Sequence, residues 1–494
     1  MASFLELRNI SKRFGGVVAL RDVDLTLNSG EVHCLCGENG SGKSTLVKII
    51  AGVFPPSSGG SITIDGRAFE SLNVLESMAF GVHVIYQDLS LFPNLTVAEN
   101  VAIGEHRGGL HRVEWPAMRR KAQAALDKLG VVIDLDAKVG GLSIAERQLI
   151  AICRALAADA RLLIMDEPTA SLTRHEVDSL LRYVVELKKR GLGIVFVSHR
   201  LDEVLQVADR VTVMRDGARV GTFDPEGMNY HRLSFLMTGK EYRYELNKVD
   251  TAAQQVVLEV TGLTRRGEYE DVSLDVRAGE VVGLIGLLGS GRTELALSLF
   301  GMTRPERGVI RLRGEAIDLR SNRDAIRRGI AYVSEDRLNF GLALDQSITT
   351  NVLASTLGKL AGWFGLIGNR RRRDAADARI RELAVKVANP ALPARVLSGG
   401  NQQRVVLAKW LAAGPELMIL DSPTVGVDIG AKDGIYELIR RLAAQGMAII
   451  LISDEVPEVF YHAHRVLIMR NGRIVQQIRP AESSEAGLKE LVYE

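Results

Sequence analysis

Residues 37–45 read GENGSGKST, with the apolar run EVHCLCG (31–37) leading in and LVKIIAG (46–52) leading out. The stretch fits G-x-x-x-x-G-K-[ST] between a strand and a helix start, the context in which this pattern builds a phosphate loop. Its glycines let the backbone wrap closely around a phosphate, and amides at the helix start point toward it. Lys43 reaches the terminal phosphates, and the hydroxyl of Ser44 is placed to bind Mg²⁺. Gly37, Glu38, Asn39, Gly40, Ser41, Gly42, Lys43, Ser44 and Thr45 are therefore candidate nucleotide-binding residues.

The run RLLIMDEPTA (161–170) supplies the complement. Four apolar residues make a buried strand whose end presents Asp166 and Glu167. The first carboxylate holds a metal through water and the second polarises an attacking water. An acidic pair after an apolar strand is by itself an ordinary loop start; beside a phosphate loop it reads as a hydrolytic pair.

The chain then repeats itself with a period of about 250 residues, a domain duplication. Gly30 and Glu31 recur as Gly279 and Glu280, Ser143 as Ser398, and Asp166 as Asp421. Within each copy, apolar strand-sized runs alternate with helical stretches such as 118–130 and 178–191, the pattern of a largely parallel sheet covered by helices. The expected fold is α/β: two tandem P-loop domains, 1–240 and 256–494, each with a helical subdomain, joined by a polar linker at 241–255.

With 494 residues, 25% charged and a formal net charge of +2, no excess of one sign points to DNA, RNA or anionic lipid as the main partner. Three cysteines cannot build a disulfide framework, and MASFLELRNISKRF carries no signal-peptide pattern, so a reducing, cytosolic setting is expected. The longest apolar runs, LLIMD (162–166), GIVFVSH (193–199) and AIILIS (448–453), are too short to span a bilayer. His33, Cys34 and Cys36 resemble metal ligands at first sight, but strand alternation puts both thiols on one face as small packing groups, with no second cluster at ligand spacing. The run RRRR (370–373) opens a helix with interleaved acids and reads as a solvated face.

GENGSGKST, Gln87 in VIYQDLSLFP, LSGGNQQ (397–403), LLIMDEP and VSH (197–199) together resemble the motif set of an ATP-binding cassette ATPase, over nearly the whole chain. LSIAERQ (142–148), GLLGSGRTEL (286–295) and YVSEDR (332–337) make it similar, more narrowly, to the fused double-cassette subunits of bacterial importers for ribose, galactose, xylose and related carbohydrates. The resemblance implies that ATP lies between the phosphate loop of one cassette and the LSGGQ-like segment of the other. Site one then pairs Lys43, Ser44, Gln87, Asp166, Glu167 and His199 with Ser398, Gly399 and Gly400. Glu167, His199 and Gln87 carry catalysis, and Ser44, Gln87 and Asp166 hold Mg²⁺. Phe14, in KRFGG, either stacks on the adenine, as the resemblance implies, or is a core residue.

Site two pairs GLLGSGRT (286–293), with Arg292 and Thr293 at the nucleotide, with LSIAE (142–146). Arg292 replaces the lysine, and a forked guanidinium is not interchangeable with a compact ammonium. Ser422 stands where Glu167 stands, and a hydroxyl is a poor base near neutral pH. Asp454 takes the place of His199 and brings negative charge toward a phosphate, Glu335 falls near the position of Gln87, and Ala145 and Glu146 alter the facing segment. These changes imply a site that holds nucleotide but hydrolyses it slowly or not at all.

The expected function is therefore an energy-coupling ATPase of carbohydrate or polyol import. The resemblance implies a pair of membrane permease subunits gripping 91–104 and 349–369, an external sugar-binding protein, and a peripheral position on the cytoplasmic face of the inner membrane. A sugar-derived signalling molecule is an alternative cargo. The competing class, a soluble twin-cassette ATPase acting on ribosomes or DNA, calls for a long charged linker, two intact sites or zinc clusters.

Overall fold

The apolar runs around the two phosphate loops become the middle strands of two sheets. The computed structural model describes residues 3–57, 59–103, 114–169, 172, 174–198, 200–241, 246–247, 251–287, 289–361, 366–427 and 429–493. They fall into two units, Met1–Tyr242 and Arg243–Glu494. In the first, a six-stranded sheet runs in the order Ala218–Phe223, Arg210–Arg215, Val32–Cys36, Gly193–Val197, Leu162–Asp166, Val82–Ile85. All neighbours are parallel except the first pair. Parallel strands are covered on both faces, and this is why Val32–Cys36 and Gly193–Val197 are buried at every position and, His33 apart, apolar.

The second unit repeats the order with Arg473–Ile478, Arg465–Arg470, Val281–Ile285, Ala448–Ile452, Leu417–Asp421 and Ile330–Val333. The duplication read from motifs is thus a duplication of topology. Its scaffold recurs as well. Glu31 accepts from the Asn28 amide at 2.9 Å, and Glu280 from the Arg277 amide at 2.9 Å; each carboxylate also pairs with an arginine of the next strand, Arg210 at 3.3 Å and Arg465 at 2.7 Å.

Each unit also carries an antiparallel four-stranded sheet that the alternation of runs did not predict. In the first unit its order is Val17–Asn28, Ser3–Phe14, Ser61–Ile64, Arg67–Phe69. The hairpin turns at Gly15–Gly16, with Phe14 facing Val17. A Gly-Gly pair between strand-like runs is a hairpin signal, hidden here because KRFGG was read for its aromatic residue. The second unit has the counterpart Tyr269–Arg277, Val256–Arg265, Arg307–Leu312, Glu315–Ile317.

The helical stretch 118–130 is the helix Trp115–Leu129, opened by a proline in its first turn and closed by Gly130 at φ 74°. Residues 370–373 lie on Asn369–Glu382, which buries Ala376 and Ile380. Of the expected linker, 242–245 and 248–250 lie outside the described residues. Leu246 packs on the core of the second unit and Asn247 Nδ2 lies 3.5 Å from His464 Nδ1, so part of the stretch belongs to that unit. Trp363 and Phe364 fall outside the described residues. His33 sits in the core with Nε2 2.7 Å from Thr212 Oγ1, beside the buried thiols of Cys34 and Cys36. Among the described residues, no helix is long and apolar enough to cross a membrane.

Candidate nucleotide-binding and hydrolytic site

The chain leaves the central strand Val32–Cys36, loops over 37–42 and enters the helix Lys43–Ile50. The turn needs glycine where helix and loop meet. Gly42 has φ 100°, and a Cβ there would lie 2.7 Å from the Ala19 carbonyl oxygen. Lys43 is buried, its Nζ donating to the carbonyls of Gly37 at 2.7 Å and Glu38 at 3.0 Å. These are neutral acceptors of its own loop, which the ammonium can exchange for phosphate oxygens. Ser41 Oγ is buried in the same loop with no hydrogen-bond partner among the described residues. Ser44, one residue past the lysine, lies close enough to Asp166 for its hydroxyl to favour the ionised carboxylate.

Asp166 ends the strand Leu162–Asp166, and Glu167 follows at φ 50°, its amide donating to the Val197 carbonyl at 2.9 Å. A left-handed backbone at a non-glycine residue costs stability and marks a position held for its side chain. Burial raises the Asp166 carboxyl above its ordinary range and the charge of Glu167 adds to the rise, while Lys43 and the Ser44 hydroxyl oppose it. Lys43, Ser44 and Glu167 are therefore all close enough to act on Asp166. Gln87 is exposed in the turn just after Val82–Ile85. His199 lies outside the described residues. Phe14 is 42% exposed, which removes the core reading; its ring meets Phe54 edge-on at 5.2 Å, with Lys12 Nζ 5.4 Å from the centroid.

The second loop keeps the backbone and changes the chemistry. Gly291 has φ 95° and its Cβ would lie 2.4 Å from the Glu268 carbonyl oxygen. Ser422 holds φ 45°, with its amide on the Ile452 carbonyl at 2.9 Å, as Glu167 does in the first unit. Arg292, however, bonds within the unit through all three of its guanidinium nitrogens. Its Nε donates to Ser290 Oγ at 3.1 Å, Nη1 to the Ser453 carbonyl at 2.9 Å and Nη2 to Asp454 Oδ1 at 2.6 Å. Asp454 was expected simply to face a phosphate; in the structure its carboxylate is spent on the loop's own cation. Asp421 accepts from the Tyr332 hydroxyl at 2.9 Å. Val84 occupies the matching place in the first copy. Burial raises the Asp421 and Glu335 carboxyls, and burial beside Asp421 pushes the Tyr332 phenol up.

The two LSGGQ-like segments differ in the same sense. Ser398 caps the helix Gly399–Ala412 without a side-chain bond to its amides; its Oγ instead accepts from Asn401 Nδ2 at 3.0 Å. No side chain caps the amides of that helix start, and the space over Gly399 is narrow: a Cβ there would lie 2.8 Å from the Gly426 carbonyl oxygen and 3.0 Å from Arg337 Nη2. Ser143 begins Ile144–Ala157 in a capping box: Glu146 N donates to Ser143 Oγ at 3.2 Å, and Ser143 N to Glu146 Oε2 at 2.9 Å. The first unit's helix start is thus occupied by its own carboxylate.

One pair of residues escaped the sequence reading. Glu203 is buried and accepts from Thr169 Oγ1 at 2.7 Å and Ser198 Oγ at 3.2 Å, tying the loop after Glu167 to the end of the next strand. Glu458 does the same with Thr424 and Ser453. The signal was present: threonine, serine and glutamate recur at one offset in both copies.

A family model described as ABC transporter matches residues 20–170 and again 269–425. The ribose import ATP-binding protein RbsA 2 of Rubrobacter xylanophilus is 45% identical over 97% of this chain and 92% of its own length. The ribose import ATP-binding protein RbsA of Rhodococcus jostii is 43% identical over 97% and 95%. A solved ATP-binding cassette of an ABC transporter, MJ1267 in its ADP conformation, covers 47% of this chain and 96% of its own, at 30% identity and a TM-score of 0.44. The chain belongs to the ABC transporter family and consists of two fused ATP-binding cassettes.

Proposed function

We propose that this chain is the ATP-hydrolysing, energy-coupling subunit of an importer for a monosaccharide or a related small carbohydrate or polyol. The observation that carries the cargo class is the likeness, over nearly the full length of both chains, to two proteins named for ribose import. Hydrolysis belongs to the first cassette. Lys43 and the loop amides bind the phosphates, Glu167 takes the proton of the attacking water, and Gln87 and His199 complete the catalytic set. Ser398, Gly399 and Gly400 of the second cassette serve the same nucleotide with helix-start amides that no side chain caps. Phe14 carries the adenine.

Ser44 with Asp166, joined by Gln87, offers only hard oxygen donors, which fit a magnesium ion that keeps waters and substrate phosphates as its remaining ligands. When bound, that ion neutralises charge on the transferred phosphoryl group. The chain's own residues orient the water and hold its proton.

ATP binding closes the cassettes, closure moves the permease, and hydrolysis reopens them. Segments 91–104 and 349–369 are the proposed permease contacts. The chain then sits on the cytoplasmic face of the membrane through its partner, and an external binding protein delivers the sugar.

The test is the ATPase rate and ribose uptake of the permease-bound complex. Glu167→Gln is expected to lower the ATPase rate about a hundredfold or more while ATP still binds. A rate within a few-fold of the unmodified complex, or membranes that transport no pentose or hexose with the intact protein, sinks the reading.

A further inference from the structure

We propose that Asp454 makes the second phosphate loop select against a terminal phosphate, so that this loop holds a nucleoside diphosphate in preference to the triphosphate. The proposal rests on the reading of both loops as nucleotide sites and concerns a property that neither motif carries. A basic side chain at this point of a phosphate loop serves the last phosphates of the nucleotide, while the loop amides serve the inner ones. In the first loop the cation donates to neutral carbonyls, those of Gly37 and Glu38, and its charge acts on Asp166. In the second, all three guanidinium nitrogens of Arg292 are used, and the strongest partner is an anion, Asp454 Oδ1 at 2.6 Å.

The Arg292 side chain is 7% exposed while that of Asp454 is 61% exposed, so the pair is shielded on the loop side and solvated on the other. Charge-assisted contacts of this kind are the strong ones. A diphosphate is held by the loop amides and the hydroxyl of Thr293 and leaves the pair intact. A third phosphate must either take Arg292 from Asp454 or lie against that carboxylate, and each course is opposed by like charge. Asp421 and Glu335 add acidity to the same pocket, their charges acting on each other and on Asp454. Arg292 is the cation that faces them.

The measurement is calorimetric binding of ADP and of a non-hydrolysable ATP analogue to the full-length chain carrying Lys43→Ala, which quiets the first loop. With Asp454 intact, ADP is expected to bind about tenfold more tightly than the analogue, the worth of roughly one charged contact. Asp454→Asn is expected to bring the two within about twofold by tightening the triphosphate, and Asp454→Glu, which keeps the charge, to retain the preference. Because Asp454 is largely exposed, an unchanged thermal midpoint checks that the variants fold. Titration of the unmodified chain with both nucleotides supplies the same ratio for its weaker class of site, should Lys43→Ala disturb the fold. A triphosphate preference with Asp454 present, an equal shift for both nucleotides, or no binding at all overturns the proposal. Since no hydrolysis is read, failure here is separate from failure of the Glu167→Gln test.

Discussion

The two phosphate loops of this chain have nearly the same backbone and opposite commitments. Gly42 and Gly291 turn with φ of 100° and 95°, and Glu167 and Ser422 sit strained at 50° and 45°. Yet Lys43 rests on carbonyls of its own loop, whereas Arg292 is tied to Asp454 and Ser453, more than 160 residues away. The first loop's cation donates to carbonyls, with Asp166 near enough to feel its charge; the second's donates to a carboxylate. A contrast is also present at the helix starts: no side chain caps the amides after Ser398, whereas Glu146 closes a capping box with Ser143 in front of Ile144. A duplicated fold can therefore keep its geometry while one copy loses its chemistry, because backbone hydrogen bonds and side-chain functions are separable.

The largest expected effect that sharpens this comparison lies at one position in both copies. Glu167→Gln should cut hydrolysis about a hundredfold, whereas Ser422→Ala should leave it within about twofold. Steady-state ATPase rates of the two variants in the assembled complex decide it, and equal losses would end the idea of a single hydrolytic copy.

Next in size is a test of the shared scaffold. Glu31 is buried; although burial raises its carboxyl, hydrogen bonds from His33 and Asn28 prevail and lower it from the ordinary 4.5 to about 2. A depressed carboxylate stabilises the folded state fully above pH 4.5 and loses that contribution as pH falls toward 2. Glu31→Gln should thus cost up to about 3 kcal/mol near neutral pH, and the gap should close over that acidic range. Urea midpoints of both proteins across pH would show it; a gap independent of pH would place the stabilisation elsewhere.

A smaller effect is expected at the glycines. Gly42→Ala and Gly291→Ala each force a Cβ toward a backbone oxygen in a left-handed conformation, so each should destabilise its unit by about 1–3 kcal/mol. Similar losses in thermal unfolding would confirm that the second loop is kept as structure although its chemistry has changed, and a tolerated Gly291→Ala would break the symmetry. Smallest of all, Glu146→Ala removes half a capping box and should cost about 1 kcal/mol, whereas Asn401→Ala, which gives up hydrogen bonds from the Lys386 amide at 2.8 Å and to Ser398 Oγ at 3.0 Å, should cost slightly more, about 1–2 kcal/mol. Paired denaturant curves test that ranking.

Much of the site was legible because its motifs are local. A phosphate loop, a strand ending in two carboxylates and a serine before two glycines each need only neighbours in sequence, and GENGSGKST, LLIMDEP and LSGGNQQ contain them. The duplication and the loss of Glu167's counterpart follow from the same reading. The buried Glu203 and Glu458 were missed because a lone glutamate on a helix reads as solvent-facing until a threonine and a serine from two other loops are packed against it.

By itself the sequence determined the α/β class, the twofold repeat, the candidate residues of the first cassette and the substitutions in the second, since these rest on residue type, spacing and periodicity. Only the tertiary structure decided the partners of the substituted groups. Tyr332 reaches Asp421 across 89 residues and Arg292 reaches Asp454 across 162. Such pairs depend on strand order and on which rotamer the surrounding packing allows. A charge change that reads as repulsion along the chain becomes, once the strands are side by side, an ion pair.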